Sequence, residues 1–255
     1  MIQFLLRIPF LKRLIPHIYK SYLNIFKIKN TKFKFENVIF DLDTRHLIDR
    51  NFYFTKSYEK LDYNYLCYSI EKFDIKTFID VGACWGIYSL RIANRFKNID
   101  VLSYEPIKKN IDRLKKSILK NNFLNIKVFN AAAGSNDGEI VLNVDSDFSP
   151  NYYFSPDFYF NGKKDVFQKE ICKVSKLDST LSIKGTIIAL KIDVEAYELE
   201  VLRGAKNLLV NNRCIILIEI CEDKKVDVFD YFDSIGYLLK FRSEKNGVNY
   251  FFSNL

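Results

Sequence analysis

What this chain lacks narrows its chemistry early. Its five cysteines, Cys67, Cys84, Cys172, Cys214 and Cys221, are odd in number and form no C-x-x-C pair. Most lie inside apolar runs, so they read as small buried hydrophobes in a reducing compartment, not as a disulfide framework or a zinc site. Histidine is almost absent: only His17 and His46 occur, both ahead of the glycine turn described below, which disfavours a histidine base. There is no Gly-x-Gly-x-x-Gly, which disfavours a nicotinamide-dependent oxidoreductase. No uncharged run reaches about 18 residues, and no signal-peptide cleavage pattern follows the first apolar stretch, so a cytoplasmic protein is expected. Internal repeats and low-complexity linkers are also missing.

Acidic residues are missing from the first thirty positions, where Arg7, Lys12, Arg13, Lys20, Lys27 and Lys29 stand. Six of the eight net positive charges therefore sit in that stretch, and the remaining body is near balance. Such a distribution argues against a nucleic-acid partner bound along a broad basic face. Residues 1–28 alternate apolar and basic positions at helical spacing, interrupted by Pro9 and Pro16. This basic amphipathic segment suits either a peripheral contact with an anionic membrane face or packing on the domain or a second subunit. The rest is rich in core material: 48% of the 255 residues are hydrophobic and 16% aromatic.

The organising stretch is Lys76 to Gly86. A short apolar run, Thr77 to Val81, reads as a buried strand. It carries Asp80, ends in Gly82-Ala83, and passes through Gly86 into a helix-like run, Ile87 to Phe96. Strand, glycine turn and helix open a βαβ nucleotide site. Gly82 permits a tight turn, Gly86 a close approach, and the helix start offers free N–H groups. The next run, Asp100 to Tyr104, leads to Glu105 just before Pro106, 23 residues after Gly82. An acid at the tip of a second strand can accept both ribose hydroxyl protons. It could equally be a plain helix-start acid. Downstream, Ile187 to Ile192 is another buried run, ending in Asp193-Val194-Glu195-Ala196 before a further helix.

These three pieces, together with Val201-Leu202-Arg203-Gly204-Ala205, resemble the FkbM family of S-adenosylmethionine (SAM) dependent methyltransferases over about residues 55–220, in the family's motif order. Two positions depart: Cys84 stands where the family usually has Asn, and Ala196 where it usually has Gly. The resemblance implies an α/β fold with a doubly wound, mostly parallel seven-stranded Rossmann-like sheet, to which the Asn246-Gly247 turn signal between Tyr237–Phe241 and Val248–Phe252 adds an antiparallel edge hairpin, and residues 1–28 an N-terminal helical arm. It divides the chain into a basic arm with edge strands at 1–54 and a methyltransferase domain at 55–255. It implies SAM as cofactor and S-adenosylhomocysteine as product. The cofactor residues it implies are Tyr58 and Glu59 at the mouth, the Asp80, Gly82, Ala83 and Gly86 turn, Glu105, Asn130 and Ala132 near the adenine, and Asp193.

A sugar hydroxyl needs its proton removed before it attacks a methyl group, and with histidine scarce the acids are the candidates. Asp193, with Glu195 beside it, is expected to be the base or the substrate anchor; both could instead cap the following helix. A competing reading gathers Asp193, Glu219 and Glu222 around Mg²⁺ or Mn²⁺ and is not favoured. The aromatic-rich stretch from Asp145 to Gln168, with Tyr152, Tyr153, Phe158 and Tyr159 among turn residues, suits stacking on sugar faces. The expected activity is O-methylation of a sugar or glycan precursor, in surface polysaccharide biosynthesis. The alternatives are an inactive membrane-associated scaffold of the same fold and a methyltransferase for a non-sugar small molecule. A homo-oligomer is compatible with all of these.

Overall fold

We describe a computed structural model of the chain. It describes residues 31–44, 46–145, 152–153, 167–243 and 249–255, with positions 14, 18, 19, 21 and 22 of the N-terminal segment. Most of the basic segment expected over 1–28, most of the aromatic stretch and the Asn246-Gly247 turn lie outside the described residues.

A hairpin of β1 (Thr31–Phe35) and β2 (Val38–Leu42) leads into α1 (Leu47–Thr55) and α2 (Lys60–Lys72). Next come β3 (Thr77–Val81), α3 (Ile87–Arg95), β4 (Asp100–Tyr104), α4 (Lys108–Asn121) and β5 (Ile126–Phe129). A smaller sheet follows, made of β6 (Ala132–Ala133), β7 (Gly138–Asp145), β8 (Tyr152–Tyr153) and β9 (Phe167–Ser175). After the short α5 (Leu177–Thr180) the chain runs through β10 (Ile187–Ile192), α6 (Glu198–Gly204), α7 (Lys206–Val210), β11 (Arg213–Glu219), α8 (Lys225–Ser234), β12 (Leu238–Arg242) and β13 (Asn249–Ser253).

The main sheet has seven strands in the order β12-β13-β11-β10-β3-β4-β5. Strands β11, β10, β3, β4 and β5 pair in parallel; helices cross from β3 to β4, β4 to β5 and β10 to β11, and the smaller sheet with α5 lies between β5 and β10. Their near-continuous apolar sequences follow from burial on both faces: Phe78, Ile79, Val81, Ile188, Leu190, Ile192, Ile216 and Ile218 are all fully buried. One hydrophobic cluster on one side of the sheet joins Leu66, Phe78, Leu90 and Leu217; another on the opposite side joins Ile79, Leu190, Leu202 and Phe232. The doubly wound sheet with its antiparallel hairpin is thus as expected. Within that hairpin the reversed strand β13 lies inside, between β11 and β12. Tyr250, Phe251 and Phe252 are accordingly buried, whereas Leu238, Leu239 and Lys240 of the edge strand β12 are exposed.

The alternation of Phe33, Phe35, Val38, Phe40 and Leu42, which suits a hairpin or edge strands, forms the first hairpin. Its two-residue turn puts Glu36 and Asn37 at φ of 48° and 64°, the left-handed pair that matches strand twist. It forms a separate two-stranded sheet, and Phe33, Val38, Phe40 and Leu42 enter the same core as Trp85 and Leu90. Among the described residues, no helix is long and apolar enough to cross a membrane.

The strand order reverses between β3 and β10. Crossovers leave β3 toward β4 and β5 on one side, and leave β10 toward β11 on the other. The two turns that follow β3 and β10 diverge there and open a crevice, the usual ligand position of such a sheet.

Candidate active site

Asp80 sits near the end of β3, in register with Lys191 of β10 on one side and Ser103 of β4 on the other. Its Oδ2 accepts from Ser89 N at 3.1 Å and from Ser89 Oγ at 2.5 Å. Its Oδ1 is buried and has no protein partner. The strand then breaks at Gly82, with φ of 79°. The N–H groups of Gly82 and Ala83 both donate to Tyr104 O, at 3.0 and 2.9 Å. A Cβ on Gly82 would stand 1.8 Å from the Asp193 carbonyl oxygen. Only glycine lets the turns after β3 and β10 stack this closely.

Glu105 lies behind that turn. It is completely buried; Oε2 accepts from Cys84 N at 2.9 Å, and Oε1 from Ile107 N at 2.9 Å and Asn110 Nδ2 at 3.2 Å. Burial lifts its pKa to about 7 against the pull of these donors.

In front of the turn is a cavity of about 290 Å³. Of the residues expected at the site, Tyr58, Glu59, Asp80, Gly82, Ala83, Asp193 and Glu195 line it. Gly86, Glu105, Asn130 and Ala132 do not: Gly86 abuts Leu114, Asn130 is exposed, and Ala132 is buried in β6 beside Val174 of β9. Sequence reasoning passed over several lining residues, namely Ile48, Trp85, Tyr88 and above all Lys191, and it raised Glu219 chiefly as a metal ligand. The signal for Lys191 was available. It is the one charged residue in the run Ile187–Ile192, and a lysine there is buried only when paired.

Lys191 Nζ lies 2.7 Å from Asp193 Oδ2 and 5.0 Å from the centroid of the Tyr88 ring. Tyr88 OH in turn donates to Glu59 Oε2 at 2.8 Å. Five carboxylates, Glu59, Asp80, Asp193, Glu195 and Glu219, share the cavity with this single ammonium. Burial disfavours the charged lysine, but Asp193, Asp80 and Glu59 outweigh it and leave its pKa raised. The acids shift upward too. Burial, then the charges of Asp193 and Glu198, raise Glu195 to about 7. Repulsion from Asp193, then burial, raises Glu219 to about 8. Glu59 and Asp80 are raised by burial, with Lys191 acting against it. Glu195 and Ala196 take φ of 52° and 69°, so two consecutive residues without glycine's freedom hold left-handed conformations at the cavity edge.

Glu222, the third acid of the metal reading, is on a 3-10 turn after β11, exposed and 3.3 Å from Lys225. Among the described residues no group of three or more His, Cys, Asp or Glu side chains is disposed to hold a metal ion.

A parallel sheet with an acid-rich crevice at its switch point is the arrangement of a nucleotide-type α/β site. Comparison with known proteins identifies the class. The family profile described as the methyltransferase FkbM domain matches residues 80–245. A curated protein named Methyltransferase 1, from Beauveria bassiana (strain ARSEF 2860), is 21% identical over 177 residues, covering 62% of this chain and 70% of that protein. Among solved structures, the METTL16 MTase domain aligns with a TM-score of 0.52 at 12% identity, covering 85% of this chain and 72% of that one. The N-terminal domain of human METTL16 in complex with SAH aligns with a TM-score of 0.50 at 14% identity, covering 85% and 75%. The chain belongs to the FkbM methyltransferase family and is a SAM-dependent methyltransferase.

The residues present fit that cofactor. SAM carries an ammonium, a sulfonium and a ribose diol, which seek carboxylate or other acceptor oxygens, and one carboxylate, which seeks an N–H or a cation. The cavity offers the unpartnered Asp80 Oδ1 and the carboxylates of Glu59, Asp193, Glu195 and Glu219. Gly82 and Ala83 present small residues to the same cavity.

Proposed function

We propose that this enzyme methylates a hydroxyl of a sugar or glycan precursor, with surface polysaccharide biosynthesis as the setting and the cytoplasm, or the cytoplasmic membrane face, as the location. SAM supplies an activated methyl group; the protein must orient the hydroxyl and take its proton. The observation that carries this reading is the acid cluster. Glu195 and Glu219, at about 7 and 8, are in the range of an effective proton acceptor at neutral pH. Asp193 is engaged with Lys191 and acts as the anchor between them. Glu195 is the base at the acceptor side, with Glu219 able to receive the proton. A neutral hydroxylic acceptor suits this cluster, because its O–H can donate to carboxylates; a phosphate-rich strand of nucleic acid would meet like charge. Tyr58, Glu59, Asp80, Gly82 and Ala83 hold the cofactor, and Gly86 and Glu105 support their turn. A ribose contact from Glu105, and adenine contacts from Asn130 and Ala132, belong to the same proposal.

The test is to incubate the enzyme with SAM and a panel of neutral sugars, activated sugars and short RNAs, and to follow S-adenosylhomocysteine together with the acceptor's mass. Gain of one methyl group on a sugar supports the reading. Methylation confined to RNA, or to amines, would sink it.

A further inference from the structure

Lys191 is a lysine inside a central strand, 6% exposed, and lines the cavity. Its neighbours come from every element around it. Asp80 faces it from β3, Tyr88 from α3, Tyr58 and Glu59 from the start of α2, Glu219 from the end of β11, and Asp193 and Glu195 from the turn after β10. A buried ammonium costs several kcal/mol of desolvation, so it persists only where surrounding charge offsets it. Simple packing at this position would be met by leucine or methionine, whereas the ammonium lies 2.7 Å from Asp193 Oδ2 with Asp80 and Glu59 close by. In the cavity as it stands the lysine acts on the acids.

We propose that Lys191 is a positioning residue for the methyl-transfer site: its ammonium holds the Asp193 carboxylate at the cavity wall and keeps enough of the surrounding carboxylates ionised for the cavity to accept a cationic cofactor. Without it, five acids within one cavity of about 290 Å³ would relieve their repulsion by taking up protons, and a protonated acid does not attract a sulfonium or an ammonium. Lys191 works against the upward shift of Glu59, Asp80, Glu195 and Glu219, so its removal lets each of them rise further.

The chain contains a single tryptophan, Trp85, and it lines this cavity. SAM titration against its fluorescence therefore reads binding directly, without any acceptor, so the outcome is independent of the sugar reading. In the wild type, affinity should weaken as pH falls through about 8 to 7, where Glu219 and Glu195 take up protons. In Lys191→Met the midpoint of that acid limb should move up by about one pH unit or more. Lys191→Arg keeps the charge and should return the limb to the wild-type midpoint. Lys191→Gln keeps a hydrogen-bond donor for Asp193 and removes the charge; it should shift like Met, and it serves if Met fails to fold. A wild-type midpoint in the Gln or Met variant, with only a lower melting temperature, would overturn the proposal and leave Lys191 a structural residue.

Discussion

Glycine is scarce in this chain, nine in 255 residues, and side-chain-bearing residues take over conformations that glycine usually holds. Glu59, Cys84, Glu195 and Ala196 all have positive φ and all lie at or beside the cavity. Left-handed backbone costs a non-glycine residue about 1–2 kcal/mol, and strain of this kind gathers at functional sites. Ala196 has no side-chain polar group to compensate. Ala196→Gly is expected to stabilise the protein by about 1 kcal/mol, less what glycine adds to the unfolded chain's entropy. The opposite change at Gly82 should be severe. Gly82→Ala drives a Cβ into the Asp193 carbonyl and should cost about 3 kcal/mol or more, with loss of SAM binding. Urea denaturation of both variants gives the two signs; a Gly82→Ala protein as stable as the wild type would refute the close stacking of the two turns.

At the scale of elements, the first hairpin docks through polar chemistry as well as through its aromatic face. Strand β2 has only one strand neighbour, and helix α4 supplies what a second strand would have given. Asn121 Oδ1 accepts from Ile39 N at 2.8 Å and its Nδ2 donates to Ile39 O at 2.8 Å. Ser117 Oγ accepts from Asp41 N at 3.0 Å, and Arg113 donates to Asp41 O at 3.1 and 3.0 Å. Arg113 also pairs with the fully buried Asp49 of α1, whose Oδ2 accepts from Asp43 N at 2.7 Å. Asp49→Ala would leave the buried Arg113 without its counter-charge and should cost about 3–5 kcal/mol. Asp49→Leu alone and Arg113→Met alone should each destabilise as well, and the double variant should recover much of that loss, because neither charge is then stranded. The cycle is read from chemical denaturation midpoints. Simple additivity of the two single changes would exclude a coupled pair.

The whole molecule should respond to pH in a direction set by its raised acids. Glu105, Glu195 and Glu198 at about 7, and Glu219 at about 8, all exceed the ordinary glutamate value of 4.5. Between 4.5 and those values the folded state binds protons that the unfolded chain has released. Their contribution is therefore full below the ordinary value and is lost as pH rises through about 7 to 8. The melting temperature of the ligand-free protein should fall across that range. A cationic ligand relieves the same repulsion, so the rise in melting temperature on adding SAM should be larger at the alkaline end than at the acidic end. Thermal melts across pH, with and without SAM, check both statements; a ligand-free melting temperature that climbs through neutrality would contradict them.

Much of this protein is determined by local sequence. Short apolar runs ending in Asp80-Val81-Gly82, Tyr104-Glu105 and Ile192-Asp193 announce parallel strands whose tips meet a ligand, because burial on both faces leaves polar residues only at strand ends. Helices α3, α4 and α8 are equally legible from their spacing. The Asp80, Gly82, Asp193 and Glu195 part of the site follows from those tips. Other features depend on partners distant in the chain. Lys191 reads as an interruption of an apolar strand until β3 sets Asp80 beside it and the turn after β10 folds Asp193 back. The place of β13 inside the sheet is decided by its pairing with β11, since both strands of that hairpin have similar local patterns. The Glu105 carboxylate, proposed above as a ribose contact, also accepts from Cys84, Ile107 and Asn110, donors that no local pattern announces. Periodicity reports which face of an element is buried, but the groups a buried charge meets are set by which strands and turns become neighbours, and only the folded chain decides that.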